Sequence, residues 1–279
     1  MKTKLIAFDL DGTVLHDDKK FGKATARALE AAAQKGIQIV PASGRLYMGM
    51  PEEIRKLPFI HYMIAVNGAL VYDVREKKVL YQAEMEKDDV RQAFKELKDI
   101  PAICGCYQDN QGWMSREDYD KIDAYAFLPN LSELMKKIYN PVAHLEETLL
   151  QSEHKVQKMM LFFADLEARE QAMKDLLEKF PNLAISSSLP NNIELNAMEA
   201  NKGAALRFLC SYLGVDIKDS VAFGDGSNDL TMISVAGIGV AMGNACKDLL
   251  QVADEVAKSN EEDGVAEYIE RCILGEKCT

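Results

Sequence analysis

The stretch Lys4-Leu5-Ile6-Ala7-Phe8-Asp9-Leu10-Asp11-Gly12-Thr13 decides how this chain is read. Its first half is an unbroken apolar run, the mark of a strand buried on both faces. Its second half breaks that run with two acids and a glycine, the mark of a turn. Together they predict that Asp9 and Asp11 stand at the carboxyl end of a strand in an open sheet, where such folds place their ligands.

The same texture repeats outward from this point. An Ala-rich helix is expected over 25–35, ended by Gly36, and buried strands over 37–42 and 62–66, stopping at Ser43-Gly44 and Asn67-Gly68. It returns near the end: a helix over 204–213, a strand over 220–223 that runs into Gly224-Asp225-Gly226, a strand over 238–242 and a closing helix over 265–273. Alternating strands and helices imply right-handed crossovers and a doubly wound, mostly parallel Rossmann-like α/β sheet. The middle differs. A hairpin over 71–85, an amphipathic helix over 88–97, strand-like runs at 103–107, 112–115, 156–163, 183–187 and 192–196, and helices near 131–139 and 166–180 form segregated runs. That is an α+β pattern. The expected division is a core of 1–83 and 191–279, with an inserted domain of 84–190.

Bulk properties exclude some classes of function. The 279 residues include 33 basic and 44 acidic side chains, a net charge of −11. That balance disfavours nucleic acid and anionic membrane as partners, while leaving room for a locally positive pocket. No run approaches the ~18 apolar residues of a membrane span. The apolar run at the start is too short for a signal peptide and is interrupted by Asp9 and Asp11. The expectation is a cytoplasmic protein with no membrane and no nucleic-acid partner, a monomer or weak homo-oligomer. Cys104, Cys106, Cys210, Cys246, Cys272 and Cys278 are expected to be reduced thiols, with Cys104 and Cys106 on one face of a strand.

Four polar clusters fall at strand ends or a helix start: Asp9 with Asp11, Ser43 with Gly44, Lys202, and Asp225 with Asn228 and Asp229. The fold sends all four to one edge. Singly, each has a plain explanation as a turn, a cap or a solvated lysine. Neither acidic loop fits a calcium EF-hand, whose twelfth position would be Lys20 counted from Asp9 and Ala236 counted from Asp225. Together they suit phosphate chemistry. Asp9 and Asp225 would repel each other unless a hard cation such as Mg2+ joined them. Ser43, Lys202 and Asn228 offer a hydroxyl, a point charge and an amide to phosphate oxygens. A carboxylate can attack phosphorus, and Asp11 is placed to move the proton.

At this point the residues resemble the haloacid dehalogenase superfamily, and within it the Cof-type branch with a large α/β cap. Its first motif is similar to Asp9–Thr13, its second to Ser43-Gly44-Arg45, a turn of the branch to Asn67-Gly68-Ala69, the lysine motif to Asn201-Lys202-Gly203, and the last acidic motif to Gly224–Asp229. Residues 236–245 and 260–265 resemble its C-terminal signatures. Ser43 stands where the branch more often has Thr, and Ser227 where many relatives carry a charge. The resemblance implies a phosphatase with Asp9 as nucleophile and metal ligand, and Asp11 as general acid/base lending its carbonyl to the metal. It implies Asp225 as the other protein ligand, Ser43, Gly44, Lys202 and Asn228 around the phosphoryl group, and Asn67 and Asp229 supporting these contacts. The implied cofactor is Mg2+ and the implied partner a small phosphorylated metabolite, a sugar phosphate or a nucleotide-like cofactor. Relatives that break carbon–halogen bonds lack Asp11, and ion pumps carry Thr there. A sugar phosphomutase is the enzyme alternative, and a non-catalytic phosphometabolite-binding protein the alternative of another class. Tyr107, Trp113, Met114, Tyr119 and Tyr125 are candidates for a substrate wall in the cap; His16 reads as loop.

Overall fold

The structure, a computed structural model, describes residues 3–128 and 130–275. The strands are β1 (Leu5–Phe8), β2 (Gln38–Pro41), β3 (Tyr62–Ala65), β4 (Leu70–Asp73), β5 (Lys78–Gln82), β6 (Ala102–Gln108), β7 (Gln111–Ser115), β8 (Tyr139–Val142), β9 (Val156–Phe163), β10 (Leu183–Ser186), β11 (Asn192–Ala197), β12 (Ser220–Gly224), β13 (Ile238–Ala241) and β14 (Glu255–Val256). They fall into two compact units. One comprises Met1–Arg45, Met50–Tyr81 and Asn201–Thr279, the other Leu46–Gly49 and Gln82–Ala200.

The first unit is built on a five-stranded sheet in the order β14-β13-β12-β1-β2, parallel at every pairing. Every residue of β1 and β12 is buried, as helices on both faces require. A fully buried side chain such as Phe8 or Phe223 contributes about 1.5–3 kcal/mol relative to exposure. The chain winds from β1 to β2 in one direction and from β12 through β13 to β14 in the other. The order therefore reverses between β1 and β12, the position at which a crevice opens beyond the strand ends. Phe8 pairs with Phe223, and the Asp9 amide donates to the Phe223 carbonyl at 3.0 Å. Asp9 and Asp225 thus leave adjacent strands at the same edge. Beyond β2, Ala42 bridges to Ile64, which joins the small sheet β3-β4-β5, antiparallel between β3 and β4.

The second unit holds a six-stranded sheet in the order β10-β11-β9-β6-β7-β8, antiparallel except between β7 and β8. Helix Leu166–Lys179 buries Ala172 and Leu176. The expected seam at residue 190 differs from the structure. Asn192–Ala197 pairs with β9 inside the six-stranded sheet, so this unit runs on to Ala200. The helix expected over 131–139 ends at Ile138, and Tyr139 opens β8. Pro141 obscures that strand in the sequence. It is tolerated because β8 lies at the sheet edge, where a missing amide donor costs no ladder bond.

Cys104 and Cys106 share a face, with sulfurs 3.9 Å apart, and the described cysteines are free thiols; Cys278 lies outside the described residues. Among the described residues no helix is long and apolar enough to cross a membrane.

Candidate active site

The edge beyond β1 and β12 is organised by Lys202. Asn201 caps the helix Lys202–Tyr212, its side chain accepting from the Ala204 amide at 2.8 Å. This cap fixes Lys202 in the first turn with no solvent exposure. Its ammonium donates to Asp9 Oδ1 at 2.5 Å and to Asp229 Oδ1 at 2.6 Å. The other oxygen of Asp229 accepts from the amides of Asp225 at 3.1 Å and Gly226 at 3.0 Å, which folds the loop after β12 around the acid. Asp225 Oδ1 accepts from the Thr13 hydroxyl at 2.9 Å. Gly12 sits at φ +78°, and a Cβ there would run into the Asp225 carboxylate. Only glycine both turns the chain and lets the two acidic loops meet.

One carboxylate oxygen each from Asp9, Asp225 and Asp229 lies within 4.8 Å of the others. The electrostatics follow from that crowding. Burial pushes the Asp9 carboxyl up to about 8; Lys202 opposes this, while Asp229 and Asp225 add to it. Burial, reinforced by Asp229, pushes Asp225 up to about 6. Burial alone would lower Lys202, but Asp229 and Asp9 outweigh it and hold the ammonium charged. The cluster carries more negative charge than one lysine offsets. Asp229 is committed to Lys202 and two amides, which leaves oxygens of Asp9 and Asp225 to offer. An all-oxygen donor set with surplus negative charge fits a hard divalent cation such as magnesium.

Asp11 stands outside this triad of carboxylates. Arg45 donates to it through Nε at 3.0 Å and Nη2 at 2.9 Å, and Lys19 Nζ lies 3.0 Å from Oδ1. Burial would raise the Asp11 carboxyl, but Arg45 and Lys19 prevail and hold it below the usual carboxylate range. Ser43 is buried at the end of β2, its hydroxyl accepting from the Arg45 amide at 3.2 Å. Asn228 donates to Asn67 Oδ1 at 3.3 Å, and a Cβ on Gly44 would sit 2.7 Å from that same oxygen. Asn67 belongs to three successive left-handed residues, Val66 at φ 53°, Asn67 at 56° and Gly68 at 95°. For a β-branched valine that backbone is costly, and its survival marks a turn held by its surroundings. The amides of Val66 and Asn67 hold it by donating to the Arg45 and Ser43 carbonyls at 3.1 and 3.0 Å.

The structure therefore groups Asp9, Lys202, Asp225 and Asp229 directly, and links Ser43 to Arg45 and Asn228 to Asn67. Sequence reasoning assigned no role to Thr13, Lys19 or Arg45. Thr13 and Arg45 lay within quoted motifs; Lys19 lay in the run Asp17-Asp18-Lys19-Lys20, which reads as solvated charge. In the second unit, Tyr107 and Met114 are buried, and the Tyr119 hydroxyl donates to the Lys136 carbonyl at 3.1 Å.

Residues 6–269 match the family described as haloacid dehalogenase-like hydrolase. The chain belongs to that family. This hydrolase is 30% identical over 275 residues to 5-amino-6-(5-phospho-D-ribitylamino)uracil phosphatase of Bacillus subtilis, covering 97% of this chain and 96% of that one. It is 30% identical over 249 residues to HMP-PP phosphatase of Cronobacter sakazakii, covering 88% and 86% of the two chains. A crystal structure of a haloacid dehalogenase-like hydrolase from Bacteroides thetaiotaomicron superposes with a TM-score of 0.81 at 26% identity, covering 97% of this hydrolase and 99% of that chain. A sugar phosphatase of subclass IIB superposes with a TM-score of 0.79 at 25% identity, covering 96% and 98%.

Proposed function

We propose that this hydrolase is a magnesium-dependent phosphatase of a small phosphorylated metabolite, a sugar phosphate or a nucleotide-like cofactor, working through an aspartyl-phosphate on Asp9. The observation that carries this reading is the placement of the Asp9 carboxylate, held by the buried Lys202 at 2.5 Å within reach of Asp225, at the sheet edge where the strand order reverses. The phosphatase relatives support the substrate class.

Asp9 and Asp225 would hold the magnesium ion with the Asp11 carbonyl, and the ion would supply charge stabilisation to the phosphoryl oxygens. The chain's own residues do the rest. The free oxygen of Asp9 attacks phosphorus, and the bond to the leaving oxygen breaks. Lys202 orients the attacking carboxylate through the other oxygen. Asp11 gives the leaving oxygen its proton, then takes one from the water that attacks the aspartyl-phosphate. Inorganic phosphate departs and Asp9 is restored. Ser43 and the Asn228 amide are suited to hold phosphoryl oxygens, Asn67 fixing Asn228 from behind.

Phosphate release from an aryl phosphate tests the reading. The expected result is release that requires magnesium and disappears in Asp9→Asn. Equal release by wild type and Asp9→Asn overturns catalysis through this site.

A further inference from the structure

The Asp11 carboxylate is already occupied. Arg45 holds both of its oxygens in a fork, Nε to Oδ2 at 3.0 Å and Nη2 to Oδ1 at 2.9 Å, and Lys19 approaches Oδ1 at 3.0 Å. A proton meant for a leaving oxygen has to sit on one of those two atoms. The cations must let go before Asp11 can do the work assigned to it above.

The surroundings permit this. The side chains of Arg45, Asp11 and Lys19 are 28%, 37% and 61% exposed, whereas that of Lys202 is 0%. The water-facing Lys19–Asp11 pair is worth about 0–1 kcal/mol and exchanges easily; the part-buried Arg45 fork is stronger but still meets water, while the fully buried Lys202 cannot release Asp9 without stranding its charge. Lys19 is also placed by its loop. Its backbone is left-handed at φ 65°, and the Asp17 amide donates to Glu261 Oε1 at 2.7 Å, which ties the loop down two residues away.

The charges identify what would take the cations over. Asp9, Asp225 and Asp229 crowd together beside one ammonium, that of Lys202. A phosphate dianion entering such a site needs further cations, even with a divalent metal present. The guanidinium fork that matches a carboxylate also matches two phosphate oxygens.

We propose that Arg45 and Lys19 form an exchangeable clamp. They hold Asp11 in the absence of substrate, transfer to the anionic oxygens of the phosphorylated substrate when it enters, and thereby free Asp11 for proton transfer. This rests on the phosphatase reading. In it, Asp11 competes with the substrate for Arg45.

Competition has a distinctive signature in binding. The probe is inorganic phosphate, titrated calorimetrically into the full chain with magnesium. Asp11→Ala is expected to bind phosphate about tenfold more tightly, and Arg45→Met about tenfold or more weakly, as the loss of one charge-assisted hydrogen-bonding partner implies. In the double variant the gain from Asp11→Ala should nearly vanish. Lys19→Met should show the same coupling more weakly, and its exposed side chain keeps it available if Arg45→Met does not fold. With an aryl phosphate, both cation variants should raise KM more than they lower kcat. The clamp is refuted if Asp11→Ala binds phosphate no more tightly, if its gain survives undiminished without Arg45, or if the cation variants lower kcat at unchanged KM. Phosphate binding does not require turnover, so a wild type that binds phosphate but releases none from esters would fail the phosphatase reading separately.

Discussion

Lys202→Met removes the ammonium that bonds both Asp9 and Asp229. The ammonium is fully buried, 2.5 Å from Asp9 and 2.6 Å from Asp229. Breaking a buried ion pair from one side costs about 3–5 kcal/mol, because the remaining charge has no water to return to. At about 2–4 °C per kcal/mol for a unit of this size, the melting temperature should fall by roughly 6–20 °C. The loss should depend on pH. A buried carboxyl whose pKa is raised stabilises the fold below its unfolded value and loses that contribution as pH rises through its folded value. Asp9, raised from 3.8 to about 8, and Asp225, raised to about 6, therefore cost the metal-free wild type stability between about pH 4 and pH 8. Lys202, raised by Asp229 and Asp9, stays charged across that window and offsets part of the loss. Methionine offsets none of it. The gap between variant and wild type should be larger at pH 8 than at pH 5, where Asp9 and Asp225 hold protons. Thermal unfolding by circular dichroism in chelator measures this; the single tryptophan, Trp113, lies in the other unit and would report on the wrong part. A variant that melts within about 2 °C of wild type at pH 8, or whose deficit is as large at pH 5, refutes the reasoning.

The same carboxylates predict the response to metal. Magnesium at a hundredfold excess over its dissociation constant should stabilise the protein by about 2.7 kcal/mol, and by less at pH 5, where protons compete for Asp9 and Asp225; equal shifts at both pH values in a melting assay would sink this. Gly68→Ala places a Cβ on the Asn201 backbone carbonyl at a residue with φ +95°, and should cost about 1–3 kcal/mol in urea unfolding. In the second unit, Lys158 and Glu194 form an ion pair at 2.5 Å with each side chain 1% exposed. Lys158→Met should cost about 3–5 kcal/mol, and adding Glu194→Leu should recover most of it; a double variant as unstable as the single one would show that the pair is not isolated from other charges.

The parts legible in the sequence were those set by local pattern. Unbroken apolar runs marked β1 and β12 as buried, and the polar residues that end them marked the working edge. What escaped was set by long-range pairing. Lys158 sits in the strand Val156–Phe163, every residue of which is buried, and nothing local says that Glu194 waits on the neighbouring strand to neutralise it. The Arg45 fork on Asp11 joins residues 34 positions apart. Lys19 lies among four adjacent charges that read as a solvated loop. The turn at Val66 escaped for another reason. Propensity places valine in extended backbone, and here the hydrogen bonds from Val66 and Asn67 to the carbonyls of Arg45 and Ser43 override it.

Burial separates the two cation sites more sharply than distance does. Lys202 and the Arg45–Lys19 pair each hold a carboxylate at about the same separation, 2.5 Å in one case and 2.9 to 3.0 Å in the other. Lys202 has no exposed surface, so releasing Asp9 would strand the Asp9 charge, and in the proposed reaction that carboxylate stays aimed. Arg45, Lys19 and Asp11 all meet water, which can take over the Lys19 charge at small cost and the Arg45 charge at a larger one. In the proposed reaction the nucleophile must be held in one place, whereas an acid that also serves as base must be free to change partners. On that reading the chain would meet both demands with the same chemistry, an ammonium or guanidinium on an aspartate, with Lys202 inside the fold and Arg45 and Lys19 partly open to water.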